Sequence, residues 1–297
     1  MVFFGTELQA FKANLHTHTM HSDGKFESSE IIRRYREAGY DALAFTDHHT
    51  TNDTSVYDGL GMTLLSGAEI HPDNTRYGNR WHLLCLGVPH GFKSSGYADP
   101  QEVIEAVHAL GGLVYCAHPY WSGFGADEVA KLQGIDGIEV YNTSCRYIAR
   151  DYNMQVWDQL LDAGLHYPAL AVDDTHSERD LFHGWTVLLA RENTPDALLD
   201  ALRHQRFYAS QGPEIHRLSW KDGVFEADFS PCVSVTLVTS RERGACLRLP
   251  EATDPLATTC RFEPIREGLR KWHRYFRLQL QDAQGRFAWS APIYLED

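Results

Sequence analysis

The chain has 297 residues, of which 43% are hydrophobic and 23% are charged, and its formal net charge is −13 with histidine neutral. This size predicts one large domain, or a large and a small one, and the acidic balance argues against binding to a nucleic-acid duplex or an anionic membrane. The six scattered cysteines exclude a C-x-x-C framework, and we expect a cytoplasmic protein because no signal peptide or membrane-length apolar run is evident.

The first candidate site lies in residues 12–24, which read KANLHTHTMHSDG. Residues 12–19 are predicted to form a strand, and side chains two apart on a strand share a face. His16 and His18 therefore point the same way and offer half of a metal site. Asp23, in a Ser-Asp-Gly turn, can return a carboxylate to the same place. Taken alone, this pattern leaves a pair of surface histidines equally open.

The next segments alternate between helical and strand-like patterns. Residues 27–38 predict a helix capped by Ser28 or Ser29 and ended by Gly39. Short apolar runs with polar ends then predict three strands, at residues 41–49, 62–70 and 81–88. Loops rich in polar residues and glycine separate these strands, at residues 50–61 and 72–80.

The middle of the chain continues the same alternation. Asp99 is predicted to cap a helix that begins at Pro100, with Glu102 completing a capping box. The segments that follow are strands at 113–119, 137–142, 168–173 and 184–190, and helices at 126–132, 148–163 and 195–202. This alternation predicts a mostly parallel sheet, and about seven such units favour a barrel over an open sheet.

The pattern changes near Gly212 and Pro213. Alternating runs at 234–240, 275–281 and 286–295, with a hairpin turn at 282–285, predict a small antiparallel β-sandwich over residues 213–297. We therefore predict two domains, at residues 1–211 and 212–297. The second lacks a dense cluster of ligand-type residues, so packing or dimerisation is its expected role.

Ligand-type residues recur where the predicted strands end, and such ends converge on the active site of a β/α barrel. The nine candidate metal ligands are His16, His18, Asp23, His48, Glu69, His82, His118, Asp174 and His176. His82 stands at the start of its strand and fits only if that strand runs against its neighbour. Nine nitrogen and oxygen ligands exceed the four that one zinc needs, and the absence of cysteine favours an open, catalytic site for Mn, Zn or Fe.

The ordered pieces HTH, SDG, TDH, GAE, H, AHP and DTH resemble the PHP family, the polymerase and histidinol phosphatase metal-dependent phosphoesterases. This resemblance spans about residues 12–211 and implies a distorted seven-stranded (β/α) barrel with a trinuclear metal site. The barrel end and the closing segment GRFAWSAPIYL are similar to a two-domain branch that includes carbaryl-type carbamate hydrolases. In that branch, the C-terminal piece is a small immunoglobulin-like sandwich.

The resemblance also implies how the ligands are shared among two or three divalent ions. One metal takes His16, His18, Glu69 and Asp174; a second takes Glu69, His82 and His118; a third takes Asp23, His48 and His176. Asp173 departs from the family pattern and is a possible ligand in place of Asp174. His49 and His71 are additional too, and we expect them to be pocket residues rather than ligands.

These residues predict hydrolysis of a small, anionic phosphate ester. A metal-bridging water loses a proton near neutral pH, and the hydroxide attacks phosphorus. Asp174 and His176 are the expected catalytic ligands, and Arg146 and Arg179 are placed to bind the anion.

Further residues are candidates for supporting roles. Asp47 and Glu139 are candidates for orienting the histidines, with a plain backbone-bonded role equally open. The candidate pocket walls are Trp121, Trp185, Tyr120 and Tyr141.

Two other functions remain open. The same activated water serves a metallohydrolase of carbamates, esters or amides, which a pocket with no cation except the metals and lined by Trp121 and Trp185 would favour. A metal-binding regulator is the non-enzymatic alternative, although a complete ligand set argues against it. A homodimer is also possible.

Overall fold

The computed structural model describes residues 1–72, 78–241, 243–263 and 275–295. The strands before the last helix are β1 Val2–Phe3, β2 Thr6–Glu7, β3 Gln9–Asn14, β4 Ala42–Phe45, β5 Thr63–Ile70, β6 Leu83–Leu86, β7 Leu113–Cys116, β8 Gly137–Asn142, β9 Ala169–Val172 and β10 Trp185–Ala190. The helices are α1 Ser28–Glu37, α2 Pro100–His108, α3 Pro119–Ser122, α4 Ala126–Val129, α5 Met154–Asp162 and α6 Pro195–Arg203. The remaining strands are β11 Phe207–Ser210, β12 Ile215–Lys221, β13 Val224–Cys232, β14 Ser234–Thr239, β15 Gly244–Arg248, β16 Ala257–Phe262, β17 Tyr275–Gln281, β18 Phe287–Ser290 and β19 Ile293–Tyr294. Most of the predicted loop 72–80, and parts of the predicted sandwich 213–297, lie outside the described residues.

A large sheet runs through a mixed α/β fold, with strands β3 to β9 side by side in chain order. Strands β3, β4 and β5 are parallel to one another, and so are β7, β8 and β9. Strand β6 is antiparallel to both β5 and β7, which confirms the reversal that His82 requires. Beyond the two ends of this run, Thr17 pairs with Thr175, and the amide of His18 donates to the Thr175 carbonyl at 2.9 Å.

Several predicted element boundaries shift for local reasons. The strand predicted at 12–19 ends at Asn14, so His16 and His18 lie just beyond it. Glu27, rather than Ser28 or Ser29, occupies the N-cap position of α1, and its side chain makes no capping bond. The helix predicted at 148–163 begins only at Met154, because residues 144–148 form a 3₁₀ turn that ends at Ala149 with φ +55°.

Other local predictions are confirmed. The Asp99 side chain accepts from the Gln101 amide at 2.7 Å and so caps α2, although Glu102 bonds the amide of Ala98 instead of completing a box. Helix α6 begins at Pro195 behind the cap Thr194. Its buried Leu198 joins the apolar cluster formed by side chains of the large sheet.

The C-terminal strands are antiparallel and lie in two sheets that share an apolar cluster. One sheet has the order β16-β13-β12-β1-β2, so the N-terminal strands β1 and β2 belong to it. The other is the edge of the large sheet, reached through the pairing of β18 with β11. The division between residues 211 and 212 stays a prediction. The pairing of β1 with β12 and the pairing of β11 with β18 each join strands on opposite sides of it. Among the described residues, no helix combines the length and apolarity needed to cross a bilayer.

An arginine from the C-terminal strands is buried against helix α5. Arg277 on β17 is 1% exposed, and its guanidinium donates to both carboxylate oxygens of Asp158 at 2.9 Å. The same guanidinium lies 4.5 Å from the centre of the Trp157 ring. The Asp158 side chain is 30% exposed, so only the guanidinium is buried. Bidentate geometry and the burial of the guanidinium make this contact stronger than a surface ion pair.

We predict that Arg277→Ala lowers the free energy of unfolding by about 2 kcal/mol, because a buried guanidinium and its charged hydrogen bonds are lost. Arg217→Ala is the matched control. Arg217 pairs with Asp228 on the same group of strands, but both side chains are about one third exposed. We expect its removal to cost about 1 kcal/mol or less. Urea unfolding of both variants measures the difference, and equal losses would contradict the role given to Arg277.

Candidate metal centre

The candidate ligands lie at one end of the β3–β9 run because each follows, ends or precedes a strand there. His16 and His18 follow β3, and His48 follows β4. Glu69 is the penultimate residue of β5. His82 immediately precedes the reversed strand β6, so it reaches the same end from the opposite chain direction. His118 follows β7, and the Asp174–His176 pair follows β9. Strand direction therefore places all of these side chains at one edge.

Glu69 is the centre of the cluster. Its side chain is 1% exposed, and imidazole nitrogens surround both of its oxygens. Oε1 lies 2.7 Å from His82 Nδ1 and 3.3 Å from His118 Nε2. The nitrogens around Oε2 belong to His48 at 2.8 Å, His18 at 3.4 Å, His16 at 3.5 Å and His71 at 3.5 Å.

Around this carboxylate, the side chains fall into groups of the kind that the family resemblance implies. His16 and His18 bring their Nε2 atoms to 3.1 Å from each other, and Asp174 Oδ1 lies 3.3 and 3.1 Å from them. Glu69, His82 and His118 form a second group. The third group contains Asp23, His48 and His176, with His18 beside them.

In each potential ligand group the donor atoms lie within 4.8 Å of one another. Ligands on a tetrahedral ion with bonds of about 2.1 Å are themselves about 3.4 Å apart, so each group fits one ion after small adjustments. Asp174 Oδ1 adds a second indication. This atom is buried and, among the described residues, has no well-directed hydrogen bond. A cation would supply the partner that such an atom needs.

The electrostatics reflect dense burial of opposite charges. Burial raises the pKa of Glu69, but His82 and His16 outweigh it and hold that pKa well below its usual value. Burial lowers the pKa of His48, but Asp23 and Glu69 outweigh it and raise the pKa to about 10. For His82, burial dominates and lowers the pKa to about 4. In the absence of ions, the carboxylates are therefore balanced by a few protonated imidazoles.

The backbone is strained where the ligands emerge. His118 and Asp174 have φ values of +26° and +52°, a region that costs non-glycine residues about 1–3 kcal/mol each. Gly24 closes the Ser-Asp-Gly turn against His18, where an added Cβ would lie 2.3 Å from the His18 carbonyl oxygen. The absence of a side chain at Gly24 therefore allows the turn that carries Asp23 to lie close to His18.

Two buried carboxylates support the loops in different ways. Glu139 Oε1 lies 2.7 Å from His16 Nδ1, and its Oε2 accepts from the His118 amide at 2.9 Å. Glu139 therefore orients a candidate ligand, as expected. Asp47 instead accepts bonds from Thr19 and Ser22, so it holds the loop after His18 and bonds no imidazole among the described residues.

The alternative ligand Asp173 points away from the cluster. Its oxygens accept from the amides of Phe182, His183 and Gly184 and from the hydroxyls of Tyr35 and Thr143. Five donors leave no free lone pair directed at a cation. The possibility that Asp173 replaces Asp174 is therefore wrong for this fold, and Asp173 instead anchors the 182–184 segment.

A cavity of about 320 Å³ opens onto the cluster and is lined by Arg179 and Trp121 as well as by candidate ligands. The Trp121 ring lies 5.0 Å from the His118 ring and is 42% exposed. The Arg179 guanidinium lies 3.6 Å over Tyr147. A larger groove of about 640 Å³ beside α2 contains none of the candidate ligands in its lining.

The other predicted pocket residues lie elsewhere. Arg146 donates to the Arg179 carbonyl at 2.6 Å and so supports the pocket arginine, but it does not line the cavity. Trp185 packs near Tyr40 and Lys12 and does not line the cavity. Tyr141 is buried against Tyr152, and Tyr120 faces Arg150. Strand-end position alone did not distinguish these residues from Trp121.

Comparison with known proteins gives a consistent picture. The family description "PHP domain" matches residues 14–121, a span that holds seven of the nine candidate ligands. An uncharacterized protein of Methanocaldococcus jannaschii is 31% identical over 149 residues, which cover 44% of this chain and 81% of that protein. A phosphoribosyl 1,2-cyclic phosphate 1,2-diphosphodiesterase of Eggerthella lenta is 30% identical over 82 residues, 26% of this chain and 31% of that protein.

A solved structure shares the architecture over nearly the whole chain. It is a two-domain protein of Bacteroides vulgatus described as containing a predicted PHP-like metal-dependent phosphoesterase. The TM-score is 0.57 at 14% identity, with coverage of 97% of this chain and 95% of that one. At this identity the likeness concerns the fold.

We predict that Glu139→Gln weakens divalent-metal binding about 10- to 100-fold, because the His16 imidazole loses its anionic partner. Competition with a coloured chelator measures the affinity. Glu178→Gln is the control, since that carboxylate faces Arg34 on the surface. Equal affinities for Glu139→Gln and the wild type would show that the His16–Glu139 contact does not orient a ligand.

We predict that metal binding weakens as pH falls. His48 carries a proton at neutral pH because its pKa is raised to about 10, and a cation has to displace that proton. Each displaced proton makes the apparent Kd about tenfold larger for every unit of decrease in pH. Zn²⁺ affinity measured at pH 8, 7 and 6, corrected for the chelator's own protonation, tests this. An affinity that is constant across the range is the contrary result.

Proposed function

Because the chain belongs to the PHP family of metal-dependent hydrolases, we propose that it hydrolyses a phosphate ester of a small molecule. The observation that carries this proposal is the convergence of imidazoles and carboxylates on Glu69, at the bottom of a cavity that also contains Arg179. A volume of about 320 Å³ suits a small ligand. The guanidinium supplies the positive group that an anionic substrate needs.

We propose that two or three divalent ions, Mn, Zn or Fe, occupy this centre. The proposed ligands are His16, His18, Asp23, His48, Glu69, His82, His118, Asp174 and His176. When bound, such ions lower the pKa of water toward about 7 and so supply the nucleophile at neutral pH.

The chain's own residues then have distinct tasks. Asp174 and His176 hold cations beside the reacting phosphorus. Arg179 binds a non-bridging phosphate oxygen from the cavity wall, and Trp121 contacts the leaving group. Glu139 keeps the His16 ring in place, so that its Nε2 and not its Nδ1 faces the centre.

The finer architecture is part of the proposal. We propose that strands β3 to β9 close into a distorted seven-stranded barrel, for which the contact between Thr17 and Thr175 is the support. Residues 1–211 would form the hydrolase domain and residues 212–297 a sandwich domain with a packing or dimerisation role.

The second candidate is a hydrolase of carbamates, esters or amides. It requires an apolar pocket with no cation except the metals and with both Trp121 and Trp185 in its walls. Arg179 lines the cavity and Trp185 packs outside it, so the phosphate ester is favoured. A metal-binding regulator would bind ions without turnover.

A hydrolysis screen distinguishes these functions. Purified protein is analysed for metal and then assayed against phosphomonoesters, phosphodiesters and aryl carbamates. We expect turnover of a phosphate ester that is lost in His118→Ala and after chelation. Arg179→Met should raise KM for that ester about 10- to 100-fold, since a charged hydrogen bond is worth about 1.5–3 kcal/mol.

Arg191→Met is the matched control, because Arg191 lines a different pocket together with Phe3 and Asp200. Carbamate turnover without phosphate turnover would reject the proposal in favour of the second candidate. Full metal loading with no turnover would favour the regulator.

A further inference from the structure

We propose that His71 is an additional metal ligand, which with His48 and Glu69 forms a cation position beyond the three groups described above. This proposal rests on the proposed metal centre. Its starting point is a repeated spacing: His16 and His18, and Asp174 and His176, are pairs two residues apart that leave a strand and enter the cluster. Glu69 and His71 are a third such pair, at the end of β5.

The geometry brings His71 to the carboxylate that the histidines share. Its Nε2 lies 3.5 Å from Glu69 Oε2, on the oxygen that also faces His48 Nδ1 at 2.8 Å. Donor atoms of His48, Glu69 and His71 all lie within 4.8 Å of one another. These separations match those within the other groups of the centre.

The Nε2 atom of His71 is buried and has no hydrogen-bond partner among the described residues. Buried polar side-chain atoms normally have a partner, and a missing one calls for an explanation such as an ion. The only requirement on an imidazole nitrogen that binds a cation is a free lone pair. A divalent ion at Glu69 Oε2 would meet this need.

Neighbouring rings fix the orientation of His71. Its ring stacks on His82, with centroids 3.8 Å apart and an interplanar angle of 28°. The His48 ring lies in an edge-to-face arrangement with it at a centroid distance of 4.5 Å. A ring packed against two others loses little rotational freedom when an ion binds, which favours binding.

His49 provides an internal contrast. It is also an extra histidine and lies 4.9 Å from the His71 ring. However, its Nδ1 is 3.0 Å from the Ser94 carbonyl oxygen, and no potential ligand group formed by the described residues contains it. His49 therefore belongs to the loop contact with Ser94, and His71 belongs to the centre.

The cation position at His48, Glu69 and His71 shares His48 with the group of Asp23 and His176. A neutral imidazole has one nitrogen with a free lone pair. His48 therefore serves either an ion at Glu69 and His71, through Nδ1, or an ion at Asp23 and His176, through Nε2. The ion that uses His48 has two alternative positions, and His71 adds affinity to the inner one.

Titration of Co²⁺ into the chelator-stripped full chain tests the proposal, with visible absorption reporting the ligands. We expect His71→Asn to weaken one class of Co²⁺ site about tenfold or more and to change its absorption band. His49→Asn should match the wild type. Circular dichroism of the stripped proteins establishes that the variants fold.

Crystals of the wild type with Zn²⁺ give a second readout that needs no variant. Anomalous scattering should place an ion about 2.1 Å from His71 Nε2. Unchanged Co²⁺ affinity and absorption in His71→Asn, or anomalous peaks confined to the other groups, would overturn the proposal and leave the proposed function intact. A wild type that binds no Co²⁺ and no Zn²⁺ would overturn both.

Discussion

One buried carboxylate, Glu69, sets the constraint on which the rest of the centre depends. Burying a lone carboxylate costs several kcal/mol, and the cost is recovered only when charge partners surround it with good geometry. Six imidazoles meet that requirement, and two of them, His16 and His18, follow the same strand. Every strand next to one of these imidazoles has to begin or end at the same end of the sheet. The position of one side chain therefore restricts the register of most of the fold.

The reversed strand β6 shows how strongly this restriction acts. A parallel strand at that place would deliver its last residue to the centre, whereas His82 precedes the strand. The reversal interrupts an otherwise parallel run and brings His82 Nδ1 to 2.7 Å from Glu69. The positive φ values at His118 and Asp174 lie where the chain leaves β7 and β9 and enters the cluster.

The sequence was sufficient to predict which imidazoles and carboxylates meet in one cluster. Its signals for this are local: two-residue spacing, polar residues at the ends of apolar runs, and order along the chain. It was insufficient wherever a choice depended on packing between distant segments. Asp173 and Asp174 are adjacent in sequence. Only the fold shows that the amides of residues 182–184 donate hydrogen bonds to Asp173. Trp121 and Trp185 both lie near strand ends, yet the Trp185 ring packs against Lys12. The pairing of β1 with β12 joins the first residues to the first of the C-terminal strands, and neither segment alone has a signature of it.

The charge balance within the cluster is itself an argument for cations. Glu69 and Asp174 keep pKa values well below normal only because nearby imidazoles are protonated, and burial opposes every one of those charges. Protons can balance the carboxylates, but each sits on one imidazole, and protonated rings repel one another at the distances found here. A divalent ion places two positive charges between the carboxylate and several neutral rings at once. Such an ion would replace the imidazole–carboxylate contacts with bonds shared by several neutral rings, and it would remove the repulsion between protonated rings. Cation binding would therefore stabilise this end of the sheet.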